Sequence, residues 1–157
     1  MSVRDSTLKM EYIFDDGGRA ETGYKGFTGD CAVRAISIAT GKPYEFIYQA
    51  INQLAQYERT GKRKRGKSDA RTGVYTQLLR KLMPTIGWEW IPTMFIGSGC
   101  KGHLKAGELP KGNLVVNVSK HYVAVIDGVI HDTHNPSRGG TRCVYGYYKE
   151  KATPVTA

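Results

Sequence analysis

The chain lacks the features that make several protein classes easy to recognise. Among its 157 residues no apolar run approaches the roughly 18 to 20 needed to cross a bilayer. The opening MSVRDSTLKMEY lacks the apolar middle segment of a secretory signal. Cysteine is scarce, and Cys31, Cys100 and Cys143 form no CxxC pair, no regular spacing and no even set. That argues against a disulfide scaffold or a zinc module, and for a reducing compartment. No internal repeat is found. These absences lead to the expectation of a soluble, cytoplasmic protein with no membrane contact, no cofactor and no metal. It would form a single domain over 1–157, long enough to bury its own core, with 1–23 and 150–157 loosely attached.

Acidic residues are also under-represented, 14 against 23 Lys and Arg, for a formal charge of +9. Seven basic residues fall in ERTGKRKRGKSDAR, between Arg59 and Arg71. Two glycines and almost no apolar residue make this segment a loop. It is either a solvated connection or a surface where Lys62, Arg63, Lys64, Arg65 and Lys67 meet the phosphates of a nucleic acid or an acidic protein. Tyr145, Tyr147 and Tyr148 permit the same two readings, as amphipathic sheet residues or as rings that stack on bases.

Periodicity divides the chain in two. Residues 31–40 read as a helix stopped by Gly41, and a second helix runs from about Pro43 to Tyr57 on the stripe Phe46, Ile47, Ala50, Ile51 and Leu54. TGVYTQLLRKLM reads as a third, with Thr72 as a cap and Pro84 just beyond its end. After Pro84 come short apolar runs that read as strands: WEWIP, TMFIG, NLVVNV, HYVAVI, VIHDT and RCVYGYY. Helices first and a mostly antiparallel sheet after them make an α+β layout.

The hairpin HYVAVIDGVIHDTHN has the strongest local signal. Asp127-Gly128 between β-branched runs specifies a type I′ turn, which puts Ile126 opposite Val129, Val125 opposite Ile130 and Ala124 opposite His131. Extended outward, this register places His121, Asp132 and His134 on one face and excludes His131 from it. His121 is then a diagonal neighbour of Asp132.

A cysteine needs such partners to react, because a free thiol is barely ionised at neutral pH. A neighbouring imidazole and a group that orients it change this. Cys31 sits where a helix starts, a position that favours negative charge. Plain readings stand beside this one: Cys31 as a small core residue, His121 as a sheet residue bonded to backbone, and Asp132 as a strand terminator. His134, with Asp132 and Cys31 near, suggests metal binding, but the spacing is too irregular to expect it.

Cys31 opening a helix, followed by His121 and Asp132 on adjacent strands, resembles the papain-like cysteine peptidase superfamily. GDCAVRAIS is similar to the nucleophile segment of ovarian-tumour-type deubiquitinases, and KHYVAV to the His-bearing strand of several papain-like families. The resemblance covers about residues 24–135. It implies a papain-like fold, with N-terminal helices on a C-terminal antiparallel sheet. It further implies a cysteine-dependent hydrolase or acyl transferase acting on an amide, isopeptide or thioester bond of a peptide or protein. In this reading Cys31 is the nucleophile, His121 the base and later acid, and Asp132 the orienting group. Asn135 is an alternative third member, and Thr28 and Asp30 are polar candidates near an oxyanion site. The Gln that such peptidases often carry six residues before the Cys is Lys25 here, and Asp30 is expected to oppose thiolate formation. The alternative is a non-catalytic viral or mobile-element accessory protein of the same fold that uses its basic loop.

Overall fold

The computed structural model describes residues 10–22, 29–58, 67–94, 97, 99–105 and 107–151. Among them are four helices, α1 (Arg19–Thr22), α2 (Cys31–Thr40), α3 (Tyr44–Ala55) and α4 (Thr76–Thr85). Six strands accompany them: β1 (Glu11–Phe14), β2 (Trp88–Pro92), β3 (Asn113–Val118), β4 (His121–Ile126), β5 (Val129–Asp132) and β6 (Val144–Glu150). The strands form one sheet in the order β1-β5-β4-β3-β6-β2. None of the described helices is long and apolar enough to cross a membrane.

The helices bury one face of the sheet. Val33 and Ile36 of α2, Ile47 and Ile51 of α3, and Leu79 and Met83 of α4 pack with Val115, Tyr122, Ala124 and Tyr148 in one core cluster. Fully burying each of the large aliphatic side chains stabilises the fold by about 1.5 to 3 kcal/mol. The other sheet face carries Val116, Val123, Val125, Ile130 and Val144, covered by Met10 and Leu104 from the flanking segments. Residues of β4 therefore alternate between two cores, and this central strand reads as a continuous apolar run. Gly41 ends α2 in the left-handed conformation, φ 75°, with its N–H on the Ser37 carbonyl at 3.0 Å.

The β4–β5 hairpin forms in the expected register, Ile126↔Val129, Val125↔Ile130 and Ala124↔His131, around Asp127 and Gly128 at φ 47° and 81°. The ladder stops there. The outer pairs Val123 with Asp132 and His121 with His134 are not part of it.

Several expectations are corrected. Residues 11–14 are not loosely attached: β1 pairs in parallel with β5, Phe14 beside Asp132, so the sheet is mixed rather than antiparallel throughout. The β1 backbone gives β5 an outer partner, and Met10, 4 % exposed, anchors the segment. The helix expected to be capped by Thr72 starts at Thr76 with Tyr75 before it, because Asp69 and Gly73 bridge across a turn whose Arg71 and Thr72 N–H groups bond the Asp69 side chain. Pro84 lies inside the last turn of that helix rather than beyond it. Thr93 and Met94 form no strand, and Phe95 and Ile96 lie outside the described residues. The cysteines are not all free: Cys100 and Cys143 form a disulfide, Cα atoms 5.8 Å apart across 43 residues of sequence. A separation this long hides the pairing from any local spacing rule, and the bond removes the argument for a reducing compartment.

Candidate active site

Three chain segments converge at one end of the sheet. α2 begins at Cys31, β4 begins at His121, and β5 ends at Asp132. Ser119 and Lys120 make the two-residue connection that delivers His121, with Val118 directly opposite it and Lys120 at φ 56°. Arg142 holds that turn by donating from its guanidinium to the Ser119 carbonyl. The backbone of Asp132 is fixed from the other side, where its carbonyl accepts the Asp15 N–H at 2.9 Å.

The side chains meet in a chain of hydrogen bonds. His121 Nε2 lies 2.6 Å from Asp132 Oδ2, both groups largely buried. The other ring nitrogen, Nδ1, is left for the Cys31 thiol, which hydrogen-bonds His121 and also receives the Tyr122 backbone N–H. Burial pushes the thiol pKa up, but the His121 hydrogen bond and charge, the Tyr122 N–H and the Arg34 charge outweigh it, and the thiol ionises below its ordinary range. For His121 burial acts downward and is overcome by the bonds to Asp132 and Cys31, which raise the imidazole to about 9. Asp132 is raised by burial and lowered more by His121, the Thr133 N–H and Arg34, so it stays ionised below the usual carboxylate range. The arrangement favours a thiolate beside an imidazolium, with the α2 N-terminus adding a field of the right sign.

Register alone would have put His121 and Asp132 on the sheet face away from α2. They reach its first turn as the end residues of their strands, past the last β4–β5 pair, although His121 still pairs with Val118 and Asp132 with Phe14. There Arg34 Nη2 lies 3.3 Å from Asp132 Oδ1. His134 also stacks near His121, ring centroids 5.1 Å apart, although the two are not ladder partners. His131 is turned elsewhere, its Nδ1 3.5 Å from Asp15 Oδ2.

Asp30 does not oppose the thiolate. It is fully buried, with Oδ1 2.6 Å from Arg34 Nη1 and Oδ2 accepting the Tyr44 hydroxyl at 2.6 Å. Arg19 Nε lies 3.8 Å from the same oxygen. Its charge is thus answered within the helical layer, and Asp30 is a positioning residue for Arg34 rather than an oxyanion group. Burial and the Asp30 carboxylate push the Tyr44 phenol far up, so it remains a donor. Asn135 is exposed and spends its side-chain oxygen on the Ser137 N–H at 3.1 Å. It is a turn residue, not a third member. Thr28, Lys25, Lys62, Arg63, Lys64 and Arg65 lie outside the described residues. Lys67 is tied by its Nζ to the Gln56 carbonyl at 3.3 Å.

The atoms of His121, Asp132 and His134 that could ligate a cation lie within 4.8 Å of one another. Both Asp132 oxygens are already engaged, by His121, Arg34 and the Thr133 N–H. A cation there would face the Arg34 guanidinium.

A cleft of about 610 Å³ opens over Cys31, between Gly29, Thr72, Val74, His121 and Asn117. Gly29 must be glycine, because a Cβ there would stand 2.8 Å from the Thr72 carbonyl oxygen. Two residues of this site are absent from the sequence expectations. Arg34, one turn after Cys31, carries the i, i+4 signature with Asp30, and the pair was legible from spacing. Asn117, like Asn113, is a polar residue of NLVVNV on the Val115 face, and it lies directly across from Tyr122. It lines the cleft together with Cys31 and His121. No family model matches the chain, and neither a curated protein nor a solved structure does.

Proposed function

We propose that the chain is a cysteine-dependent hydrolase or acyl transferase, a small papain-like protein that acts on an amide, isopeptide or thioester bond of a peptide or protein. The observation that supports this most is the linked set Cys31, His121 and Asp132, the first two lining a cleft and the third behind them, with the 2.6 Å His121–Asp132 bond aiming the free ring nitrogen at the thiol.

The Cys31 thiolate attacks the substrate carbonyl carbon, and the carbonyl electron pair moves onto oxygen. The Cys31 N–H, among the helix-start donors with no intrahelical partner, and the Asn117 side-chain amide hold that oxyanion. The intermediate collapses to a thioester as the bond to the leaving group breaks. The His121 imidazolium gives the leaving nitrogen its proton. Water, or an acceptor nucleophile, then adds to the thioester with His121 as base, and the thiolate returns. Asp132 orients the ring and stabilises its protonated form throughout. Arg34 keeps Asp132 ionised and holds one carboxylate oxygen so that the other faces His121.

p-Nitrophenyl acetate tests the covalent step. Intact mass is expected to show one acetyl group on the wild type with release of p-nitrophenolate, and none on Cys31→Ala. Acetylation that persists in Cys31→Ala overturns the reading.

A further inference from the structure

A second group of sulfur, imidazole and carboxylate lies outside the cleft. Cys100 Sγ is 3.6 Å from His103 Nε2, and His103 Nδ1 is 3.3 Å from Glu108 Oε2. The same carboxylate oxygen accepts the His103 backbone N–H at 2.5 Å. Cys143, bonded to Cys100, is also the β-bridge partner of His103. Main-chain bonds hold the two segments together on either side, Leu104 N–H to the Arg142 carbonyl and Val144 N–H to the Gly102 carbonyl, both 2.8 Å. Leu104 itself is wholly buried. His103 and Cys143 are therefore placed by the backbone, not by the sulfur–sulfur bond alone.

We propose that in its dithiol form this cluster is a zinc site, with Cys100 Sγ, Cys143 Sγ and His103 Nε2 as ligands and a fourth position open to water. With Zn–S near 2.3 Å and Zn–N near 2.0 Å, tetrahedral geometry sets sulfur and nitrogen ligands about 3.5 Å apart. The Cys100–His103 separation of 3.6 Å fits that value. Glu108 supplies what a metal-bound histidine needs behind it: an acceptor on Nδ1 that fixes the tautomer and points the Nε2 lone pair outward. Two thiolates and one imidazole are the soft and borderline donors that zinc prefers, and they balance its charge.

The ion and the disulfide are alternatives, since sulfurs bound to one zinc stand about 3.8 Å apart. Passing from disulfide to zinc takes two electrons. With a phosphine reductant and water, the phosphine becomes its oxide and the sulfurs become two thiols. Zinc binding then releases both thiol protons to solvent. Either cross-link ties the segment around His103 to the start of β6. This site is independent of the Cys31 chemistry.

The test uses the full chain, reduced with a water-soluble phosphine under anaerobic conditions, exposed to zinc alone and desalted before the metal is counted. One zinc per reduced chain is expected, and none on the oxidised chain. Cys100→Ser and His103→Ala are expected to lose it, and Glu108→Gln to weaken it roughly 10- to 100-fold. Cobalt in place of zinc adds a second readout, a thiolate-to-metal absorption band present in wild type and absent in Cys143→Ser. Cys31→Ala must leave both signals intact. The assignment is overturned if the reduced wild type holds no zinc, if His103→Ala retains it, or if Cys31→Ala abolishes it.

Discussion

Among the described residues, two places bring together a cysteine, a histidine and a carboxylate, and they differ in what surrounds them. Cys31 and His121 line a cleft, and Asp132 lies behind His121, 2 % exposed and backed by Arg34. Cys100, His103 and Glu108 lie at the surface, with His103 and Glu108 side chains 37 % and 28 % exposed, and Cys100 is already joined to Cys143. In the first set each charge is desolvated and answered by a neighbour, so protonation states are shifted and the sulfur is left free. In the second the sulfur is used as a cross-link, and the Glu108 carboxylate, raised by burial but lowered more by the His103 N–H and Lys105, serves mainly to orient its neighbour. Residue types alone do not lower a thiol pKa; an unspent sulfur whose neighbours bond it and carry positive charge, strongly enough to outweigh its burial, does.

The largest expected effect breaks the first set at its orienting member. Asp132→Asn removes the charge that holds the His121 proton, so acylation by p-nitrophenyl acetate should slow by roughly 10²- to 10⁴-fold. The same change lowers the imidazole pKa from about 9, and the alkaline limb of the pH–rate profile should move to lower pH. An unmoved limb would show that Asp132 does not control His121. Arg34→Met leaves Asp30 and Asp132 buried without their shared cation, and thermal or urea unfolding should report a loss of roughly 3 to 5 kcal/mol. A loss near zero contradicts the role given to Arg34 between the two carboxylates.

Smaller effects separate the oxyanion site from the thiolate. Asn117→Ala and Asn117→Leu should slow acetylation by at least about tenfold while iodoacetamide alkylation of Cys31, which forms no oxyanion, is unchanged. Equal acetylation rates would remove Asn117 from the site. The smallest effect is expected at the second set. Cys143→Ser should cost about 2 to 4 kcal/mol of stability in the oxidised protein, yet leave the Cys31 alkylation rate where it was. A changed rate would mean the two sets are not separate.

The helices and the central hairpin were legible because their signals are local: the Ile47–Ile51 stripe, Gly41 as a stop, and Asp127-Gly128 as a turn. That same turn brought His121 and Asp132 to one end of the sheet, although strict alternation gave them the wrong face. Both are strand ends past the last β4–β5 pair, and their side chains turn toward Cys31 and Arg34 of the helix. Four things were not legible. β1 carries too short a pattern to be read without its partner, since EYIF becomes a strand by pairing with β5. The Cys100–Cys143 bond and the Arg34–Asp132 contact join residues 43 and 98 positions apart. Asp30 looked hostile to a thiolate beside it in sequence because its i, i+4 partner Arg34 was passed over and nothing local points to the Tyr44 hydroxyl.

The central claim is that Cys31 is held as a thiolate by His121, and the pH dependence of iodoacetamide alkylation tests it most directly. The account predicts that Cys31 reacts near neutral pH faster than a model thiol, along a curve that rises below the ordinary thiol range, and that Cys31→Ala abolishes the reaction in the oxidised chain. A rate that matches the model thiol and rises only near pH 8.5, the unperturbed value for cysteine, would contradict it.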